Sequence, residues 1–540
     1  MKPLFIKNAP TDLKIIDRDN SLYHYARVIS NTRFGHMPIY IAYCKNADHV
    51  SYCINHCRDH KIPFRIRSGG HQHEGMCSGK NVIIIDVSEI NKITYESDTV
   101  AWIPAGKQLG QVYDELAKKG KTVPGGGCQS VNVGGLTQGG GWGVSVRKYG
   151  LTCDSVTDIE IVLASGKSVI ANADNKYSDL FKALKGGGGG NFGVVIRFRF
   201  KLVSILPVIT NFTIRWEKPD EIKGVITKWA ELHAKENGID EALSATCTML
   251  IAKSENEKKH EVHGRMAGKF YGSEKKLRGL LETYFKGFIP TDDKAIRFTQ
   301  IPEDYADTTA RKNATFSVKK QTKASTATLS YATSQRLLID FINPTGSIQF
   351  SNNEQGTCKK LDLTVLPDKG PSSTCDRPHP HKVSSSFPKD NVNHRELAEA
   401  IYTYLDKSCY HADVNMYMSF HCMGGAVTRS TGNSFGYSQK PYMLQIQAWW
   451  DDVSNAFTNE GRNTVYLKWV KDFRESIAIH TEGSFINFVD KTLVPDIEKD
   501  ENRLKLLKIY YNDKLKDLRT TKKKYDPEQL FHFEMSILPE

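Results

Sequence analysis

Apolar and polar positions divide the first 205 residues into short elements. Residues 39–42 are apolar and extended, Asn46-Ala47-Asp48 offers a cap, and 49–60 has helical spacing. Residues 63–67 alternate as a strand does. Residues 82–86 predict a short buried strand, and 100–106 another that Pro104 and Gly106 end. Residues 109–119 predict an amphipathic helix stopped at Gly120. Two β-runs, 156–164 and 168–171, flank Ser165-Gly166 and predict a hairpin. In 192–203, Val194, Ile196, Phe198, Phe200 and Leu202 fall on one face of a long strand. Beyond 205 the pattern mixes strands (211–216, 442–450) with lysine-rich helices (220–234, 273–285). The proline- and serine-rich stretch 366–390 reads as a loop, and 499–518 as one helix. The chain therefore reads as α+β, with a boundary near 205.

Composition narrows the class. A length of 540 residues exceeds one ordinary core. Hydrophobic residues at 39% and charged residues at 25% exclude a disordered chain. The net charge of +12 raises nucleic acid as a partner, but no recognition motif accompanies it. The densest basic run, 514–524, interleaves with Leu515 and Leu518 and reads as a solvated helix face. The 11 cysteines include no CxxC pair, so no metal site is expected. The first residues lack an apolar signal core of about 7 residues or more, and no apolar run of about 18 exists. The expectation is a cytoplasmic protein with no membrane partner.

Glycine changes the picture. Of 41 glycines, ten fall in 125–150 and six in 186–193, so the backbone must approach something closely in two places. Arg67-Ser68-Gly69-Gly70-His71 follows a strand, where adjacent glycines free backbone N–H groups to form an anion nest. The run from Gly125 to Gly143 is neither GxGxxG opening a helix nor GxxxxGK[ST], which disfavours a Rossmann site and excludes a P-loop. A planar or extended cofactor against bare backbone explains these runs better than turns do.

Together RSGGH, GGGCQSVNVGG, GGGWG, YGLTCD, KGGGGGNFGVV and YYND…KYDPEQLF resemble the berberine-bridge-enzyme-like group of FAD-linked oxidases. That group lies in the vanillyl-alcohol-oxidase/PCMH flavoprotein superfamily. The resemblance is close over 38–204, looser over 410–540 and only general over 206–400. It implies a PCMH-type FAD-binding domain at 1–205 and a substrate domain at 206–480, an antiparallel sheet backed by helices. A C-terminal segment, 481–540, would return to the first domain. It also implies FAD attached twice, through His71 at the 8α-methyl carbon and Cys128 at C6. The backbone N–H groups of Ser68, Gly69, Gly70 and His71 would cradle the pyrophosphate. Gly134, Gly135, Gly140 and Gly143 would pass beneath the ring and ribityl chain, and Val194 and Ile196 would sit by the adenine. Arg67, Gly127, Asp154 and Asn512 complete the implied cofactor set. Val131 stands at the family's gate position, and with the small Gly126 it favours oxygen access.

Three departures bear on catalysis. The family's tyrosine base corresponds to Phe488 in Phe485-Ile486-Asn487-Phe488, and phenylalanine cannot take a proton. Neighbouring strands supply Tyr417, His421, Gln445 and Gln447 instead. Tyr417, Ser419 and His421 alternate and so share one strand face. His421 reads either as a base or as a structural histidine before Gly424-Gly425. Leu136 replaces a frequent histidine near flavin N1, and Lys514 aligns near a C-terminal asparagine. The implied reaction is oxidation of a sugar or oligosaccharide hydroxyl, with hydride passing to flavin N5 and O2 reduced to H2O2. The partners would be a small molecule and O2. Open alternatives are a natural-product tailoring oxidase, a dehydrogenase and a low-turnover flavin-loaded binding protein.

Overall fold

The structure, a computed structural model, describes residues 4–236, 238–253, 260–301, 378–408, 414–450 and 460–540. Its first sheet holds β1 (Lys14–Asp17), β2 (Tyr40–Tyr43), β3 (Phe64–Arg67) and β4 (Ile83–Asp86) in the order β1-β2-β4-β3. β2 and β3 run parallel to β4, which needs cover on both faces. Ile83, Ile84 and Ile85 are accordingly buried. The helix Ala47–Asp59 supplies cover with Val50, Cys53, Ile54 and Cys57, and the Asn46 side chain caps it by accepting from the His49 N–H at 2.9 Å.

The second sheet is antiparallel. It contains β5 (Thr94–Ser97), β6 (Val100–Pro104), β8 (Val156–Val162), β9 (Ser168–Asn172) and β10 (Val194–Lys201), ordered β5-β6-β10-β8-β9. β7 (Lys121–Thr122) pairs separately with β11 (Val203–Ser204). The expected hairpin is the β8–β9 pair.

The third sheet has eight strands: β12 (Ile209–Trp216), β13 (Leu243–Lys253), β14 (His260–Phe270), β15 (Ile296–Ile301), β16 (His381–Pro388), β17 (Val414–Cys422), β18 (Tyr442–Trp450) and β19 (Thr481–Glu482). Their order is β15-β12-β14-β13-β17-β18-β16-β19, and every pair is antiparallel. One face is apolar: Met249, Met266, Met418, Phe420, Leu444 and Ile446 pack with Trp229, Leu397, Ile401 and Phe473 from helices Pro219–Ala234, His394–Asp406 and Glu460–Ser476. Alternation sends Thr248, Tyr417, Ser419, His421, Gln445 and Gln447 to the opposite face. That face positions the site.

Two large cores divide the chain. One draws on residues between Phe5 and Leu202 together with Val489 to Ile537. The other draws on Phe212 to Phe485 together with Val146, Leu151 and Cys153. The tail is stitched to the glycine loop by Lys522. This fully buried lysine donates to the Asn191 carbonyl at 2.7 Å, the Phe531 carbonyl at 2.9 Å and Asp526 at 2.6 Å.

Several expectations need correction. Residues 381–388 of the supposed loop are β16, while 366–377 lie outside the described residues. The single helix 499–518 is two, Asp500–Tyr511 and Leu515–Tyr525, broken where Asn512 takes φ +48°. Ile486–Phe488 is a 3₁₀ turn and not a strand. Within the second glycine run, Val133–Gln138 is a short helix. No described helix is long and apolar enough to cross a membrane.

Candidate active site

A cavity of about 720 Å³ lies between the glycine loops and the open face of the third sheet. Its volume falls among those of cofactor and ligand sites, roughly 300–1,000 Å³. Arg67, at the end of β3, orients the loop that opens it. Its guanidinium is buried against Asp86 and donates to the Ala26 carbonyl at 2.8 Å. The following residues, 68–71, line the cavity. Gly70 turns the loop with φ +73°, a region costly for other residues, and Ser68 Oγ anchors it by donating to the Ala105 carbonyl at 2.6 Å. His71 Nε2 lies 3.1 Å from Ser130 Oγ.

The cavity wall is suited to a flat, polar cofactor. A Cβ built on Gly127 or Gly135 would meet nothing within 4 Å, and both residues line the cavity. These glycines are therefore not demanded by packing there; they leave backbone bare towards the space. Asn132 Oδ1 and Gln138 Oε1, also on this wall, are buried without a protein donor. Such acceptors need hydroxyl or N–H groups from a ligand or water. These features fit FAD, with its ribityl hydroxyls and isoalloxazine ring. Cys128 lines the same cavity and is disulfide-bonded.

The third sheet faces this wall. Both ring nitrogens of His421 are buried without a hydrogen-bond partner, and Trp142 stands edge-on to it at 4.4 Å. Burial pushes the His421 imidazole down to about 4, with the Gln445 side chain acting the other way. The ring is therefore neutral at pH 7. The Tyr417 hydroxyl donates to Gln447 Oε1 at 3.0 Å, and Trp449 Nε1 donates to the same oxygen at 2.8 Å. A second histidine pair sits beside them. His381 Nδ1 lies 2.9 Å from the His379 carbonyl, so it carries the proton and leaves His381 Nε2 to accept from His73 Nδ1, 2.9 Å away. Burial pushes His73 down to about 3 and holds His381 well below an ordinary histidine. No aspartate or glutamate appears among the described residues lining the cavity.

The family model described as an FAD binding domain matches residues 38–172, and the one described as berberine and berberine like matches 484–538. The chain thus carries the two domain types found in berberine-bridge-enzyme-like FAD-linked oxidoreductases. Over 531 residues, 97% of each chain, it is 28% identical to the uncharacterized FAD-linked oxidoreductase YgaK of Bacillus subtilis. It is 32% identical over 243 residues, 44% of each chain, to tetrahydroberberine oxidase of Argemone mexicana. Among solved structures it superposes on Physcomitrella patens BBE-like 1 with a TM-score of 0.73. That match has 19% identity and covers 99% of this chain and 98% of the other. Phl p 4, a grass pollen allergen with glucose dehydrogenase activity, gives a TM-score of 0.73, 21% identity and 99% coverage of both. These structures show the fold, α+β of the PCMH type.

In this berberine-bridge-like chain, Ser68, Gly69, Gly70, His71, Gly127, Cys128, Val131, Gly134 and Gly135 line one cavity with Tyr417, His421 and Gln445. Seven expected contacts are not on that wall. Arg67 is spent on Asp86. Gly143 packs on the Gly125 carbonyl, 1.8 Å from where its Cβ would stand, and Gly140 sits among Leu151, Phe435 and Phe485. Asp154 accepts from the Leu151 N–H at 2.9 Å and Asn433 Nδ2 at 3.0 Å, tying two segments together away from the cavity. Val194 and Ile196 point to the core side of β10, and Val195 and Gly193 line the cavity instead, a one-residue error in parity. Asn512 is exposed at the helix break and receives Lys508 through its carbonyl, while the preceding Tyr511 lines the cavity. Lys514 pairs with Asp513 at 2.8 Å and is likewise off the wall. The residues that sequence reasoning missed include His73, Trp142, Arg265, Phe531, Phe533 and Met535. His73 and Trp142 adjoin quoted motifs, which is a usable signal; the others carry none.

Proposed function

We propose that the chain is an FAD-dependent oxidase with covalently attached flavin, oxidising a hydroxyl of a sugar or oligosaccharide and reducing O2 to H2O2. The observation that carries this reading is His71 and Cys128 lining one cavity opposite His421 and Tyr417. Bound FAD would accept hydride at N5 and supply the electrons that reduce O2. His421, neutral and unpartnered, takes the hydroxyl proton at a ring nitrogen. Tyr417 is held on the same strand face as a donor to Gln447. Gln445 offers an amide beside His421. Ser130 restrains the His71 ring. Phe488 closes the site as an apolar wall 5.9 Å from His421.

Other features support parts of this reading. An isoleucine-to-valine variant of Phl p 4 is described as a glucose oxidase and the wild type as a glucose dehydrogenase. Valine is what this chain has at position 131, with Gly126 also on the cavity wall. The lack of a described carboxylate there disfavours a cationic alkaloid. The seven free buried cysteines among the described residues fit a cytoplasmic setting, whereas the disulfide at Cys128 does not. A thioether at Cys128 and its disulfide exclude each other, so the second flavin link requires the reduced thiol.

Acid precipitation of the reduced holoprotein followed by peptide mass mapping tests the links. Flavin adducts are expected at His71 and Cys128. Flavin left in the supernatant refutes both, and an adduct at His71 alone removes the second. Peroxide release across a sugar panel tests the activity, and a silent panel overturns the substrate class.

A further inference from the structure

The open face of the substrate sheet changes character away from the cavity. Register sets Arg215 of β12 opposite Arg265 of β14, and Arg265 opposite Thr248 of β13. Arg297 of β15 lies opposite Thr213, two residues from Arg215. Lys269 lies four residues along β14 from Arg265. These four cations therefore share the face that carries Thr248, Ser419 and Gln445. The three arginines are exposed, and none of the four pairs with a carboxylate among the described residues. The acid on this face of β14, Glu261, lies four residues from Arg265 and 3.6 Å from His263.

A solvated basic face would be the ordinary explanation, but this protein treats sheet arginines differently elsewhere. On β10, Arg197 pairs with Glu160, and Arg199 with Glu96 and Asp158. Like charges directly opposite across strands destabilise a sheet. The Arg215–Arg265 juxtaposition is therefore a cost that an added anion would relieve. Arg265 alone of the four lines the cavity. The other arginine on the wall, Arg65, is 3.7 Å from Glu534. The unbalanced charge on the substrate side of the cavity is thus positive.

We propose that the substrate carries an anionic group, a carboxylate or a phosphate or sulfate ester, and that Arg265 binds it. This rests on the sugar-oxidase reading and names the substrate more closely. Arg265 opposes Thr248, and Thr248 opposes Ser419 between Tyr417 and His421. The anion site is therefore two strand spacings, about 10 Å, from the strand carrying the proposed base. That separation places the anion on the sugar unit next to the one oxidised. A planar guanidinium suits bidentate binding of such groups. Arg215 and Arg297 add to the positive potential that draws the substrate in.

The test uses flavin-loaded enzyme with cellobiose and with the same disaccharide carrying a carboxylate, a phosphate or a sulfate at C6 of its non-reducing unit. At least one acidic sugar is expected to exceed cellobiose in kcat/KM by roughly 10- to 100-fold, mainly through KM, the worth of a charge-assisted hydrogen bond. The arm that gains identifies the group. R265Q should cut that preference by a similar factor, and R265K should restore part of it, with flavin absorbance confirming loading. Equal kcat/KM for neutral and acidic sugars, or a preference that survives R265Q, overturns the proposal while leaving a sugar oxidase standing. If no sugar is oxidised, the sugar-oxidase reading fails. The anion site is then judged by titrating the flavin spectrum with the acidic sugars. A perturbation that R265Q abolishes upholds it, and no such perturbation overturns it.

Discussion

His421 illustrates how a single side chain acquires its chemistry from where it is placed. Both of its nitrogens are buried and unpartnered, and burial holds it neutral down to about pH 4. If it is the proton acceptor, kcat/KM falls on the acid side only near pH 4 and stays flat from about pH 5 to 8 on this group's account. A limb near the usual value of about 6.5 would rule out this buried ring as the base. H421A is expected to lower kcat by about 10²- to 10⁴-fold, measured by single-turnover flavin reduction. The strand face that carries His421 was legible, because alternation from Tyr417 to His421 needs only a pleat. The missing partners were not, since they depend on Trp142 and Phe488 arriving from distant segments. Val194 and Ile196 show the opposite failure. Val194 and Ile196 share their face of β10 with Phe198 and Phe200, so the apolar pattern marks the core face, while the cavity-lining Val195 shares its face with Arg197 and Arg199.

Among elements, the helix Leu515–Tyr525 shows how a basic run can be structural. It reads as a solvated face, yet Lys522 is buried and satisfies two carbonyls and Asp526. K522M would leave Asp526 without its cation. Breaking such a pair costs about 3–5 kcal/mol, seen as a lower denaturation midpoint. A midpoint unchanged from wild type would mean that Asp526 is sufficiently held by the Leu530 and Phe531 N–H groups. β16 was hidden for a related reason. Ser384, Ser385 and Ser386 make it look like a loop, but it pairs with β18 and every residue in it is buried. Polar residues in a strand are recognisable only once their partners are known. Here one partner is Ser484 Oγ, 2.9 Å from Ser385 Oγ.

For the whole molecule, buried charge and buried imidazole cross the junction between the two cores. Lys382 of β16 reaches both Glu74 and Asp490. Burial would raise Asp490, but Lys382 and Thr492 outweigh it and hold the carboxyl down at about 2. Burial lowers His73, His233, His381 and His421. Below about pH 6.5 the unfolded chain therefore binds more protons than the folded one. The histidine contribution is complete above that pH and is lost as pH falls towards the folded values. The Asp490 contribution is lost later, between about 4 and 2. The thermal midpoint should fall steadily from pH 7 to pH 4, and a flat profile would contradict this accounting. The glycine clusters made the cofactor wall legible from sequence because bare backbone leaves a compositional mark. The tail's share of the wall left none, since Phe531, Phe533 and Met535 resemble any core residues. That shared wall has a consequence in time. Residues 68–71 and 531–533 border one cavity although more than 450 positions separate them. During synthesis the early segments leave the ribosome first, at about 5–20 residues per second, and must wait some tens of seconds for the last wall to arrive. Cofactor capture is thus a step for the finished chain, and nascent chains halted before residue 531 should emerge colourless.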